Sequence, residues 1–95
     1  MSGSSFRQGE NVIGQFVRVL GISQSKLARE WGCTKDKINR AANGFEPTFT
    51  TEEIQIIDAW LESKFGKGWR DLPSSFKSEE PIDFLVEFEQ KNAEV

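Results

Sequence analysis

The stretch SQSKLAREWGCTKDKINRAANG, from Ser23 to Gly44, leaves the chain few ways to fold. Ser23 is a good helix N-cap, since its hydroxyl can accept from a backbone N–H that the first turn leaves unpaired. Leu27, Ala28 and Trp31 then fall on one helical face. Gly32 breaks the run, because a residue without Cβ adopts positive φ at little cost. Thr34 caps a second helix, expected over 34–43, with Ile38, Ala41 and Ala42 inward. Asn43-Gly44 is a stop signal. So short a gap between two helices forces their axes to cross steeply, which predicts a helix-turn-helix.

This unit is basic within an acidic chain. Ser23–Gly44 carries five Lys/Arg against two Asp/Glu, whereas all 95 residues together have a net charge of −3. Residues 7–44 carry +4 and residues 45–95 carry −7. The split suggests a half that faces a polyanion and a half that is solvated or dimerises. Other functions lose support from composition. The chain has no histidine and a single cysteine, Cys33, so neither a zinc site nor an intrachain disulfide is expected. Histidine, the commonest acid–base group, is unavailable for catalysis. Two S-x-x-K strings, Ser23 to Lys26 and Ser74 to Lys77, lack the companion motifs of a serine acyl-transfer enzyme. The expectation is therefore a protein that is not an enzyme, with no cofactor and no metal. No apolar run reaches the roughly 18 residues of a membrane span, and MSGSSFRQGE does not read as a secretory signal. A cytoplasmic location is the expectation that follows.

Along the chain, residues 1–9 read as a flexible Ser/Gly-rich arm and residues 10–73 as the helix-turn-helix domain. Residues 74–95 read as an acidic, aromatic-rich extension, for dimerisation or partner binding or else folded back onto its own domain. Ile13, Phe16, Val17 and Leu20 form the stripe of a first amphipathic helix, with Gly21 at its end. Thr50 and Glu53 make a capping box ahead of Ile54, Ile57, Leu61 and Phe65 at helical spacing. FGKGWRDLP reads as a turn and one short helical turn ended by Pro73, and SSFKSEE reads as a linker. In PIDFLVEFEQKNAEV two patterns coexist. Ile82, Phe84, Val86 and Phe88 alternate as in an edge strand, while Asp83, Glu87, Gln90 and Lys91 line one side of a helix, which is favoured. The fold class expected is all-α, with four to five short helices and a C-terminal extension.

Side chains pointing outward from the second helix of the pair are Lys35, Asp36, Lys37, Asn39, Arg40 and Asn43. The major groove, about 12 Å wide, admits one α-helix and displays a distinct donor–acceptor pattern for each base pair. Lys35 and Arg40 can donate to guanine or to phosphate, Asn39 can pair with adenine, and Asp36 can accept from cytosine or serve only to cap the helix start. Those residues are the candidate base contacts. Lys37, Asn43 and Gln24, at the start of the preceding helix, are the candidate phosphate contacts; phosphate bonds fix register while base bonds select sequence. The bland alternative is a solvated helix face.

The longer string LGISQSKLAREWGCTKDKINRAANG resembles the helix-turn-helix of the lambdoid phage repressor and Cro family, the XRE-type regulators. It matches at Leu20, Gly21, Ile22, Ser23, Gln24, Leu27, Ala28, Gly32, Thr34, Ile38 and Gly44. Similarity continues through Pro47, the stripe from Ile54 to Phe65 and FGKGWRDL, covering residues 12–72. The resemblance implies a transcriptional regulator of phage or prophage type, a repressor that binds a palindromic operator in double-stranded DNA as a homodimer. It also implies base contacts at Lys35, Asp36, Asn39 and Arg40 and a phosphate contact at Gln24. Three positions depart from the family pattern. Val17 and Ala42 stand where many members pair Arg with Glu, Trp31 replaces a Leu, and Phe45 follows Gly44 where a polar residue is usual. Trp31 is read as core filler, Cys33 as a buried turn residue, and Phe45 as packing on the loop or facing a sugar. The alternative function is a helix-turn-helix antitoxin or interaction module whose tail, residues 74–95, binds a protein partner.

Overall fold

Side-chain oxygens mark the helix starts along the first two-thirds of the chain. The computed structural model describes residues 9–93, so the arm expected over 1–9 lies outside the described residues apart from Gly9. Asn11 Oδ1 accepts from Gly14 N–H at 3.0 Å and opens α1, Val12–Leu20. Ser23 accepts from Lys26 N–H at 3.1 Å and opens α2, Gln24–Trp31. Thr34 accepts from Lys37 N–H at 3.2 Å and opens α3, Lys35–Ala42, with Asn43 closing it. The capping box forms at α4, Thr51–Phe65: Thr50 Oγ1 accepts from Glu53 N–H at 3.1 Å and Glu53 Oε1 from Thr50 N–H at 2.9 Å. A 3₁₀ turn at Trp69–Asp71 precedes α5, Asp83–Ala93. Every element among the described residues is helical, as expected, and the segment with two readable patterns is helix. Asp83, Glu87, Gln90 and Lys91 are its exposed side.

The turn between α2 and α3 depends on Gly32 for two reasons. Its φ of 72° turns the chain so that Cys33 N–H reaches Ala28 O at 3.0 Å. A Cβ there would also meet Ile56 Cδ1 on α4 at 2.8 Å. The positive φ is the stronger demand for glycine, since the exposed Ile56 side chain can shift its end away from a Cβ.

Aromatic rings fill the centre. Trp31 is fully buried, with ring centroids 5.4 Å from Phe16, 5.7 Å from Trp60, 6.1 Å from Phe49 and 6.2 Å from Phe76, all edge-on. Edge-to-face pairs add to area burial because a ring's positive rim meets a negative face. Trp31 therefore unites α1, α2, α4 and the loops beside them, as its reading as core filler expects. Val17 and Ala42 are half-buried apolar residues packed against this core.

The segment after Pro73 folds back onto the bundle. SSFKSEE, expected as a linker, contains Phe76, which is only 4% exposed. Glu46 in the α3–α4 loop accepts from the Ser75 hydroxyl at 2.6 Å and from Phe76 N–H at 3.1 Å. Burial pushes the Glu46 carboxyl up, but these bonds outweigh it and hold the group below its usual range. Ile82, Phe84 and Leu85 join the core. Buried Gln15 on α1 donates from Nε2 to Glu80 O at 2.8 Å and accepts at Oε1 from Ile82 N–H at 2.9 Å. Arg18 lies between Glu10, at 2.8 Å, and Glu89 on α5, at 3.0 Å. No helix among the described residues is long and apolar enough to cross a membrane.

Candidate nucleic-acid interface

Helix geometry sorts the side chains of α3. At about 100° per residue, Ile38 and Ala41 turn inward and are fully buried, and Ala42 is half-buried. Lys35, Asp36, Asn39, Arg40 and Asn43 are exposed along one continuous arc. This arc has two edges of different chemistry.

An amide edge runs toward α2. Asn39 Nδ2 donates to Gln24 Oε1 at 3.2 Å, and Asn43 Nδ2 donates to Asn39 Oδ1 at 3.2 Å. Gln24 is the first residue of α2, where unpaired backbone N–H groups and the helix dipole favour an anion. The structure thus joins one candidate base contact, Asn39, to two candidate phosphate contacts, Gln24 and Asn43. Because the Gln24 oxygen accepts from Asn39, its own amide hydrogens are directed elsewhere and stay available as donors.

The opposite edge is an arginine beside an aromatic ring. Arg40 Nη1 lies 3.8 Å from Asp36 Oδ2, and the Arg40 guanidinium carbon sits 5.9 Å from the centroid of Phe45. Both side chains of the ion pair are largely exposed, so the pair itself contributes little to stability. Phe45 is 61% exposed. Its backbone is nonetheless anchored, with Phe45 N–H donating to Arg40 O at 3.0 Å. The loop then runs back beside α3, and the space between them is a cavity of about 410 Å³ lined by Thr34, Asp36, Arg40, Phe45, Pro47 and Thr48 among others.

Lys37 differs from the other candidates. Its Nζ lies 2.7 Å from Glu53 Oε1 and 5.3 Å from the centroid of Phe49, with the side chain 24% exposed. The bond from Lys37 and that from Thr50 N–H hold the Glu53 carboxyl below its ordinary range. Lys37 therefore ties α3 to the start of α4. Spacing alone put it on the outward face; its partner across the fold was invisible there because it lies 16 residues away.

Cys33, expected to be buried, is half-buried in the turn. Burial, with Glu53 nearby, pushes its thiol up, which disfavours the reactive thiolate. Sequence reasoning missed Asn11, whose amide donates to Ala41 O and Ala42 O, each at 3.1 Å. One side chain thereby caps the start of α1 and holds the end of α3. Asparagine before an apolar stripe signals the first role; nothing local signals the second.

Comparison with protein-family models, curated proteins and solved structures gave no match.

Proposed function

We propose that the chain is a sequence-specific double-stranded DNA-binding transcriptional regulator, a cytoplasmic repressor whose α3 enters the major groove. The reading rests on one observation. Lys35, Asp36, Asn39, Arg40 and Asn43 form a continuous exposed arc that is bonded, through Asn39, to Gln24 at the start of α2. A solvated face needs no such registry between two helices. A groove reader does, because the second helix must be set at a fixed height relative to the phosphates that the first helix meets.

In this role Lys35, Asp36, Asn39 and Arg40 address base edges, and Gln24 and Asn43 address phosphate. A phosphate contact from Lys37 would require it to leave Glu53, 2.7 Å away. The charge split and the resemblance to the repressor and Cro family support the same reading. Two copies on a palindromic operator would set their α3 helices about 34 Å apart, one turn of duplex.

Selection of bound duplexes from a random pool tests this directly. The expected outcome is a two-fold symmetric motif whose affinity falls with salt at a log–log slope of about −0.9 per phosphate neutralised. Failure to retain any duplex at low salt would remove the proposal.

A further inference from the structure

Phe45 is one of two large apolar side chains exposed among the described residues, the other being Ile56 on α4. A single exposed ring is ordinary on a protein surface; what sets Phe45 apart is its fixed place beside the arc of α3. Its backbone is fixed by the bond to Arg40 O, and Gly44 before it has a φ of 97°, which orients the loop back along α3. The ring therefore stands at the Arg40 edge of the arc, with the guanidinium over its face and the rest in solvent.

Resting on the reading above, we propose that Phe45 is a specificity-determining residue that contacts the 5-methyl group of a thymine beside the base pair read by Arg40. Thymine is the base that presents an apolar group in the major groove, and phenylalanine is among the side chains that meet it. Arginine forks onto guanine O6 and N7. A guanidinium resting on an aromatic face loses less freedom when it binds, since the stacked rotamer is already selected. Asp36 Oδ2 lies 3.8 Å from Arg40 Nη1. Together the three side chains present a donor fork and an apolar wall side by side, which suits a guanine with a thymine next to it.

The test uses the full chain and the duplex recovered from the random pool. Each thymine is replaced in turn by deoxyuracil, which removes the methyl and leaves the hydrogen-bonding edge intact. One thymine per half-site, adjacent to the base pair whose preference is lost in Arg40→Ala, should show about fourfold weaker binding, the value of one methyl buried against carbon. Phe45→Ala should bind the thymine and uracil duplexes equally, whereas Phe45→Leu should retain part of the difference. A recovered site with no thymine at that position overturns the assignment, as does a methyl effect that persists undiminished in Phe45→Ala. Both outcomes leave DNA binding itself standing. If no duplex is recovered, the underlying reading has failed and this one falls with it.

Discussion

Lys35 and Lys37 are separated by a little over half a helical turn, and that rotation determines what each can do. Lys35 is exposed on the arc, while Lys37 reaches Glu53 and lies against Phe49. Lys37→Met should therefore leave the salt dependence of DNA binding unchanged and lower thermal stability. The same variant should alter the acid limb of stability. Because the folded protein holds Glu53 below its usual value of 4.5, the resulting stabilisation is present above about pH 4.5. It is lost as pH falls through the depressed value. Melting curves from pH 7 to pH 3 should show a shallower decline in Lys37→Met than in the parent. Asn39→Ala and Arg40→Ala should instead each cost about 1–3 kcal/mol of cognate affinity and relax base preference, with melting temperature little changed. Equal binding by Asn39→Ala, Arg40→Ala and the parent would take both residues off the interface. The chemistry of this arc was legible in the sequence because exposure on a capped helix follows from period alone. The Lys37–Glu53 pair was not, since it depends on how α3 meets α4.

At the scale of elements, helix limits follow local chemistry and helix placement does not. Ser23, Thr34 and Thr50 each cap the helix their position implies, and the glycine after Trp31 makes the turn. These interactions span three or four residues, so a linear reading finds them. Gln15 is the counterexample. Within the first helical stripe it looks like an ordinary polar residue, yet it is buried and bonds across 65 and 67 residues to the segment before α5. Gln15→Leu keeps the volume but leaves Ile82 N–H and Glu80 C=O without their partner, a cost of about 1–3 kcal/mol. Amide exchange at Ile82 should accelerate before exchange in α2 and α3 does. Uniform exchange across the molecule would show that this tie is not what holds the C-terminal segment.

At the scale of the whole molecule, residues 74–85 are part of the core rather than an appendage to it. Phe76, Ile82, Phe84 and Leu85 are buried against α1, α2 and the loops, and Arg18 joins α1 to α5 through Glu89. Burying each such side chain is worth about 1.5–3 kcal/mol, against a net stability of about 5–15 kcal/mol for a domain. Truncation after Pro73 should therefore unfold the protein, seen as loss of the cooperative melt, instead of merely changing its oligomeric state. A truncated chain that melts cooperatively near the parent temperature would refute this. The packing also bears on partners. Among the described residues neither large exposed apolar side chain lies in α5, so a partner of the C-terminal segment would meet the exposed Asp83, Glu87, Gln90 and Lys91 together with the half-buried Val86 and Phe88.

Residues 23–44 by themselves determined two capped helices, the turn between them and the polar arc that faces outward, because caps, glycine and helical period act within a few residues. Only the tertiary structure decided that Lys37 is tied down to Glu53 and that the C-terminal segment completes the core. Both depend on surfaces brought together from distant parts of the chain, around the aromatic core that Trp31 centres.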